Sequence, residues 1–415
     1  MSSTAATVVF NSTQFTAFMK KLYYGGRIES LVNFQTPFWK EVSKSDGFIG
    51  EEELVPLELD DPQGIAGSLR GAIGSESSNK GIRWILTRAL GYASLSVDGV
   101  TMIVTKGSEG AWFEAKKRNI DGQLRQMGQQ FEMMCFGDGA GKLGQLQSDP
   151  GTGTTFTVAA ADAINFHEGM TFNAYANSSG ALSTLRTGDY VVSKVNWDTG
   201  VITMDTSLSS VAAIDAGVGS DDWLVRKDTN DQAMKGLGAW LPETVPSATF
   251  FGLNRQSYSE QKVAGFRATW QGSIEETIRL LYARMVKYNQ KPKTLWLSHA
   301  NFNRLDLELG ARLVRNSSSA LAFGAEGILM NTPSGTISVR TSPYCPDSVG
   351  YLLDMDSIKI RHASGLPHLI EDDGRAATRI GSTEQDAVDG IRMYWRWLGQ
   401  MAIVNPPSNG RFVIS

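Results

Sequence analysis

A long amphipathic pattern between residues 108 and 136 most constrains what this chain can fold into. Its apolar positions step alternately by four and three residues, which places them on one face of an α-helix. These positions are Ile120, Leu124, Met127, Phe131 and Met134. Ser108 is a candidate N-cap, and the glycines between Gly137 and Gly141 tolerate the positive φ at which helices often end. The pattern therefore predicts a helix of roughly 40 Å with a buried apolar face.

The composition is that of an ordinary globular protein with room for two or three domains. Of the 415 residues, 41% are hydrophobic and 20% are charged. The 39 basic and 43 acidic residues give a net charge of −4, which does not favour tight nucleic-acid binding. Cys135 and Cys345 are too few for a disulfide framework and lack metal-ligand spacing. Without a signal sequence or a long apolar run, we expect synthesis in a cytoplasm and no membrane partner.

The N-terminal hundred residues predict an arm followed by a charged hairpin. Residues 1–45 suit an extended arm, and residues 47–104 contain alternating segments around Leu57 and Leu95 that predict two paired strands. The ascending limb is acidic and the returning limb is basic, which favours pairing across the strands. The charged residues are Asp46, Glu51, Glu52, Glu53, Glu58, Asp60 and Asp61 on one limb and Arg70, Lys80, Arg83 and Arg88 on the other. Because a lone hairpin buries little area, we expect it to rest on another subunit.

The remainder predicts a small β-domain and then an αβα unit. Residues 151–228 are rich in Thr, Val, Gly and Asp with short strands, and residues 229–265 form a connecting loop. Ser273 and Glu276 have the spacing of a capping box, and Ser298 is placed to cap a second helix after a buried strand. In the last predicted strand, the alternation of side chains places Trp395 and Trp397 on one face and Tyr394 on the other. These signals indicate an α+β protein.

No motif in the chain predicts a catalytic, cofactor or metal site. The GxGxxG match ending at Gly144 follows a helix, whereas the dinucleotide fingerprint follows a strand. His167 and Glu168 begin like a zinc-protease motif, but Thr171 stands where the second histidine belongs. The acidic run from Glu51 to Glu53 is typical of a solvated face. Asp372 and Asp373 are the acidic pair behind an alternative hypothesis, a carbohydrate-active enzyme.

The order of these elements resembles the major capsid protein of tailed bacteriophages, which has the HK97-type fold. The resemblance is carried by DGVTMIVTKGSEGAWFEAKKRNIDG, GLGAWLP, AGFRATWQGSIEETIRLL and KPKTLWLSHANFNRL. It implies the following segments: 1–45 as N-terminal arm, 46–106 as E-loop hairpin, 107–150 as P-domain spine helix, 151–228 as inserted β-domain, 229–265 as connecting loop, 266–380 as A-domain, and 381–415 as the strand returning to the P-domain. Glu51, Glu52, Glu53, Glu58, Arg70, Arg83 and Arg88 would then be inter-subunit hairpin residues.

The resemblance also implies a function and partners. The chain would assemble with itself as hexamers and pentamers into an icosahedral virion capsid that encloses double-stranded DNA without sequence specificity. Assembly would take place in the host cytoplasm with a portal and a decoration protein. A separate scaffolding protein is expected, because no long removable N-terminal segment is recognised. An encapsulin-like nanocompartment shell is the alternative within this fold, although those shells normally lack an inserted domain.

Overall fold

The computed structural model shows an α+β protein and describes most of the chain. It describes residues 36–48, 50–98, 109–147, 153–186, 188–205, 222–246, 249–309, 314–315, 328–332, 335–363, 365–370, 378–379 and 390–415. Most of the predicted N-terminal arm therefore lies outside the described residues. The α-helices within these ranges are α1 (Pro37–Glu41), α2 (Leu69–Gly74), α3 (Glu109–Phe136), α4 (Leu237–Trp240), α5 (Glu260–Ala264), α6 (Ile274–Lys287) and α7 (His299–Leu309).

The chain contacts divide into two compact units. The first draws its described residues from Met1–Lys40, Leu90–Glu132 and His362–Leu398. The second comprises Glu41–Ala89, Met133–Arg361 and Gly399–Ser415. These units do not coincide with the segments predicted from the sequence, because the long helix α3 and the last long strand each contribute residues to both.

The first unit is built around the apolar face of α3. Phe131 stacks on Trp39 with ring centroids 4.7 Å apart and meets Trp397 edge-on at 5.5 Å. In the same unit, β4 (Ala89–Asp98), β21 (His368–Leu369) and β22 (Thr378–Arg379) pair with β23 (Gly390–Ile403). Gly91 leaves room for the Trp397 indole, since a Cβ there would lie 2.1 Å from Nε1. Trp397 of β23 thus packs on the helix.

The second unit contains a seven-stranded mixed sheet covered on one face by α6 and α7. Its strands, in spatial order, are β14 (Phe266–Ala268), β24 (Gly410–Val413), β19 (Val349–Leu353), β15 (Thr294–Leu297), β18 (Gly335–Thr341), β17 (Ile328–Thr332) and β16 (Val314–Arg315). Leu281, Leu297, Ile337 and Phe412 belong to its buried core. The C-terminal strand β24 therefore completes this sheet by lying between β14 and β19.

The helices that cover this sheet begin at capped N-termini. The Glu276 N–H donates to the Ser273 hydroxyl at 3.1 Å, which starts α6. A second acceptor is the Glu308 carboxylate, which receives the Ile274 N–H at 2.9 Å. At α7 the Asn301 N–H donates to the Ser298 hydroxyl at 3.3 Å. Both caps lie where the sequence places them.

A second seven-stranded sheet forms the β-domain within this unit. Its strands are β5 (Lys142–Gln145), β6 (Thr155–Thr157), β7 (Thr171–Ser178), β8 (Ala181–Leu185), β9 (Tyr190–Asn196), β10 (Val201–Met204) and β11 (Trp223–Arg226). Phe156, Phe166, Phe172 and Tyr190 form a buried aromatic core. The predicted boundary at residue 151 leaves out β5, which pairs with β11 and belongs to the same sheet.

The hairpin is shorter than predicted and uses a different returning strand. β2 (Glu52–Asp60) pairs antiparallel with β3 (Lys80–Thr87). The prediction that the segment around Leu95 returns beside Leu57 was wrong, since β4 pairs with β23 instead. Alternation alone cannot choose between two neighbouring strands, and the packing of Gly91 under Trp397 decides the partner of β4. The remaining strands are β1 (Ser43–Ser45), which runs parallel to β20 (Ile358–His362), and the pair β12 (Thr249–Phe250) and β13 (Leu253–Asn254).

Candidate functional site

The base of the hairpin is anchored to its own chain by an aromatic cluster. Trp84 on β3 is fully buried and meets Trp240 edge-on at 5.3 Å and Phe250 at 5.9 Å. The Arg255 guanidinium lies 3.6 Å from the centre of the Phe250 ring, which is cation–π geometry. Val55, the register partner of Trp84, is buried beside it. The expectation that the hairpin has few neighbours in its own chain is therefore wrong for its base.

Polar contacts fix the same part of the hairpin. The Ile85 N–H donates to the Phe251 carbonyl at 2.9 Å, which ties β3 to the chain just after β12. The Lys262 ammonium donates to the Leu59 carbonyl at 2.7 Å and also bonds the Asp60 carboxylate. These contacts hold the hairpin as far as the end of β2. Residues 61–79 extend beyond them as the tip.

The opposite charges of the two limbs predict that the limbs pair as strands, and β2 does pair with β3. Among the described residues no ion pair joins β2 to β3, and the carboxylates of Glu53 and Asp60 pair with residues outside the hairpin instead. Glu53 pairs with Arg361 at 3.2 Å, and Glu58 accepts from the Asn79 amide at 2.7 Å. The Arg88 guanidinium lies 5.8 Å from the centre of the Phe48 ring. Arg83 lies directly opposite Pro56 rather than opposite a carboxylate.

Of the predicted inter-subunit hairpin residues, four lie exposed and form neither an ion pair nor a side-chain hydrogen bond within the part of the chain that the structure describes. They are Glu51, Glu52, Arg70 and Arg83. Their side chains are therefore available to a second molecule. Arg88 is half-buried and has a partner in its own chain, so it does not belong with them.

The hairpin tip is an ordered structure with an apolar surface. Ser68 caps α2 by accepting the Gly71 N–H at 3.1 Å, and the Ser77 N–H donates to the Gln63 carbonyl at 2.9 Å. Three large apolar side chains lie on it, with exposed fractions of 94% for Ile65, 79% for Leu69 and 64% for Ile73. Exposed apolar patches of this kind mark interaction surfaces. This patch was not predicted from the sequence, because the hairpin was interpreted through its alternating strands and its charges.

The predicted core residues of the spine helix lie as follows. Ile120, Leu124, Met127 and Phe131 are buried in the first unit, and Met134 is buried in the second. The helix also carries a group that the sequence did not reveal, the fully buried carboxylate of Glu132. It accepts the backbone N–H groups of Phe38 at 3.1 Å and Trp39 at 2.7 Å. A lone Glu within a helical pattern gives no local signal of such a long-range contact.

Titratable groups do not converge on a chemical site in the described residues. No group of three or more His, Cys, Asp or Glu side chains there has the arrangement to hold a metal ion. Burial and the nearby Asp347 carboxylate raise the pKa of Asp162 to about 6. Burial and then the charge of Arg226 lower the pKa of His167. Asp372 and Asp373 lie outside the described residues, and none of the described helices is long and apolar enough to cross a membrane.

Comparison with solved structures identifies the fold. The chain is similar to a chain of the Cyanophage A-1(L) capsid asymmetric unit, with a TM-score of 0.53 at 10% identity, covering 91% of this chain and 92% of that one. A Mycobacterium phage Ogopogo chain gives 0.43 at 9% identity, covering 92% of each chain. A chain of the phage G major capsid and decoration proteins gives 0.40 at 7% identity, covering 89% of this chain and 86% of that one.

The fold assignment rests on the cyanophage match alone. The similarity extends over nearly the whole of both chains, so this chain has the fold of a phage capsid chain. No protein-family model matches the sequence. No curated protein matches it either.

Proposed function

We propose that this chain is the major capsid protein of a tailed bacteriophage, a structural protein without enzymatic turnover. The observation that carries the proposal is the fold shared with a phage capsid chain over more than nine-tenths of both chains. In this proposal the elements have the HK97 arrangement, with α3 as spine helix and the β2–β3 hairpin as E-loop. Copies assemble as hexamers and pentamers into an icosahedral shell around double-stranded DNA.

The hairpin tip is the part of the chain proposed to contact a neighbouring copy. Its base is fixed by Trp84 and Lys262, so the tip is held at a defined position. Its apolar side chains Ile65, Leu69 and Ile73 are exposed in the single chain. Burial of apolar surface stabilises an association by roughly 25 cal/mol per Å², and a shell repeats each contact many times. Exposed Arg83 and Arg70 add charge complementarity for an acidic neighbour.

Further partners follow from the same proposal. A separate scaffolding protein would guide closure of the shell, and a portal would replace part of it. Structures of phage G include decoration proteins with its major capsid proteins, and a decoration protein is proposed here by analogy. DNA contact would be independent of sequence, consistent with a net charge of −4 that gives no strong attraction to phosphate. Assembly would occur in the host cytoplasm and the product would be the virion capsid.

The test is the assembly state of the purified full chain. We expect negative-stain microscopy and sedimentation to show capsomers or closed shells as protein concentration rises. A chain that stays monomeric at every concentration, alone and with its scaffolding protein, would overturn the proposal. Nuclease-protected double-stranded DNA inside native particles distinguishes a viral capsid from an encapsulin-like shell, which would contain protein cargo. Hydrolysis of a glycan by the purified chain would favour the enzyme alternative.

A further inference from the structure

Three arginines in the second unit converge beside the short helix α4. Arg255 donates to the carbonyls of Ala239 at 3.0 Å and Trp240 at 3.4 Å, and Arg411 donates to the next carbonyl, Leu241, at 3.4 Å. The two guanidinium groups therefore bind three consecutive carbonyls of one short segment. Arg267 joins them from β14, where it is the direct register partner of Arg411 on the parallel strand β24. Like charges directly opposed on neighbouring strands are destabilising unless something compensates them.

The carboxylates around this arginine cluster do not balance its charge. Arg267 is paired with Glu260, and Arg411 is paired with Glu243 at 2.9 Å. Arg255 has no carboxylate partner among the described residues, although only 2% of its surface is exposed. An uncompensated buried charge is strongly destabilising, so a buried guanidinium requires a counter-charge. Within the described residues, the three guanidinium groups are thus paired with two carboxylates, which leaves one positive charge without a counter-charge.

The arginine cluster also contains buried N–H donors without an acceptor among the described residues. Arg255 Nε, Arg267 Nη1 and Arg411 Nε are buried, and in the described part of the chain they have no hydrogen-bond partner. The contacts with carbonyls and carboxylates use other nitrogen atoms of these side chains. Each of the three arginines therefore retains one buried donor. An acceptor that carries negative charge would satisfy both deficits together.

We propose that Arg255, Arg267 and Arg411 form a binding site for a small oxyanion such as inorganic phosphate. Arginine is the side chain best suited to such a ligand, because its planar fork matches the oxygen spacing of phosphate. Only 2% of Arg255 and 9% of Arg411 are exposed, which favours a small ion over a side chain of a second molecule. Burial together with the neighbouring guanidinium charges lowers the pKa of Arg255 to about 9 and also lowers that of Arg267, in agreement with a cluster that lacks negative charge.

The ion would link three separate segments of the second unit. Arg255 follows β13, Arg267 lies on β14, and Arg411 lies on the C-terminal strand β24. The arginine cluster also adjoins the hairpin anchor, because Arg255 contacts the rings of Phe250 and Trp84. A bound anion is thus expected to stabilise the second unit and the aromatic cluster that anchors the base of the hairpin. The site is independent of whether the chain assembles into shells.

The decisive experiment measures phosphate binding to the unassembled full chain after dialysis into chloride buffer free of phosphate and sulfate. Equilibrium dialysis with radiolabelled phosphate should show one saturable ion per chain. A thermal melt should shift upward with phosphate but not with chloride at equal ionic strength. Arg267→Gln should weaken phosphate binding about tenfold or more, because it removes one charged donor. The control is Arg279→Gln on α6, whose side chain is 64% exposed, and it should bind like the wild type.

Two results would overturn the proposal. The first is no saturable binding to the wild-type chain, a measurement that needs no variant. The second is equal binding by the wild type, Arg267→Gln and Arg255→Gln, which would mean an adventitious ion only. If Arg267→Gln does not fold, Arg267→Lys keeps the positive charge but loses the planar fork, and it should still bind phosphate more weakly than Arg279→Gln.

Discussion

Two buried carboxylates, those of Glu132 and Asp162, affect the stability of the fold in opposite ways because their surroundings differ. The Glu132 carboxylate accepts two backbone N–H groups at the first turn of α1, where the N–H groups that begin the helix and the helix dipole favour negative charge. Asp162 lies beside the like-charged Asp347 and is largely removed from water, so its ionised form is disfavoured. The first carboxylate is expected to stabilise the fold when charged and the second to destabilise it.

Replacing Glu132 with Ala should destabilise the chain, because the buried N–H groups of Phe38 and Trp39 lose their acceptor. We expect the free energy of unfolding to fall by about 2–4 kcal/mol. Urea denaturation followed by tryptophan fluorescence measures this, since Trp39 stacks on Phe131 in the folded state. Glu51→Ala, at an exposed position, serves as control and should change stability by less than about 0.5 kcal/mol. Equal stability of the two variants would contradict the capping role.

Replacing Asp162 with Asn should stabilise the chain at neutral pH. The folded pKa of about 6 lies above the ordinary value of 3.8, so the carboxyl group favours folding while protonated, and this stabilisation is lost as the pH rises through 6. The amide introduced by Asp162→Asn cannot ionise, and the variant should gain on the order of 1–3 kcal/mol at pH 8 with the gain vanishing toward pH 4. Thermal melts of the variant across this range, beside the exposed control Asp198→Asn, measure it. A gain that does not depend on pH would refute the assignment to Asp162 ionisation.

At the scale of elements, local patterns in the sequence predict more than long-range pairings do. The caps at Ser273 and Ser298 are encoded within four residues and occur where predicted. The strand β3 also carries its signal locally, because Ile82, Trp84 and Leu86 alternate toward one face. What alternation does not encode is the partner, so the returning limb of the hairpin was misassigned. The partner is set by tertiary contacts such as Trp84 with Trp240, which are distant in sequence.

The hairpin tip should be needed for assembly and dispensable for folding. Leu69→Asp combined with Ile73→Asp places charges on side chains that are already 79% and 64% exposed, so the melting temperature of the unassembled chain should hardly change. Assembly measured by light scattering should be strongly slowed or lost, because an apolar contact with a neighbouring copy would have to bury two carboxylates. Normal shells from this double variant would show that the tip is not an interface.

Two control variants separate the tip from the hairpin base and from the general surface. Trp84→Ala removes a buried indole from the aromatic cluster and should lower the free energy of unfolding by about 3–5 kcal/mol. Leu307→Asp, at an 84% exposed position on α7, matches the tip variant in exposure and should leave both folding and assembly intact. A melt that collapses for the tip variant as it does for Trp84→Ala would place the tip in the folded core.

At the scale of the whole molecule, the order of elements along the chain indicates the fold. The order of strands within a sheet can depend on residues far apart in the sequence. β24 is a short C-terminal segment with no strong strand signal, yet it occupies an interior position, second from one edge of its sheet, between β14 and β19. The β-domain has the opposite character, because all its strands come from one continuous stretch with its own aromatic core. Its first and last strands, β5 and β11, are neighbours, so the chain enters and leaves this domain at one place.

That geometry predicts a clean deletion and its correct boundaries. Lys142 and Val225 are register partners, so replacing residues 142–226 by a short Gly/Ser linker joins chain ends that already lie side by side. The remaining chain should keep the helical circular dichroism of α3, α6 and α7 and a cooperative melt. Deleting residues 151–228 instead leaves β5 without β11 and exposes the buried Leu143 and Leu146, and this variant should aggregate. Aggregation of both deletions alike would show that the β-domain is integral to the core of the second unit.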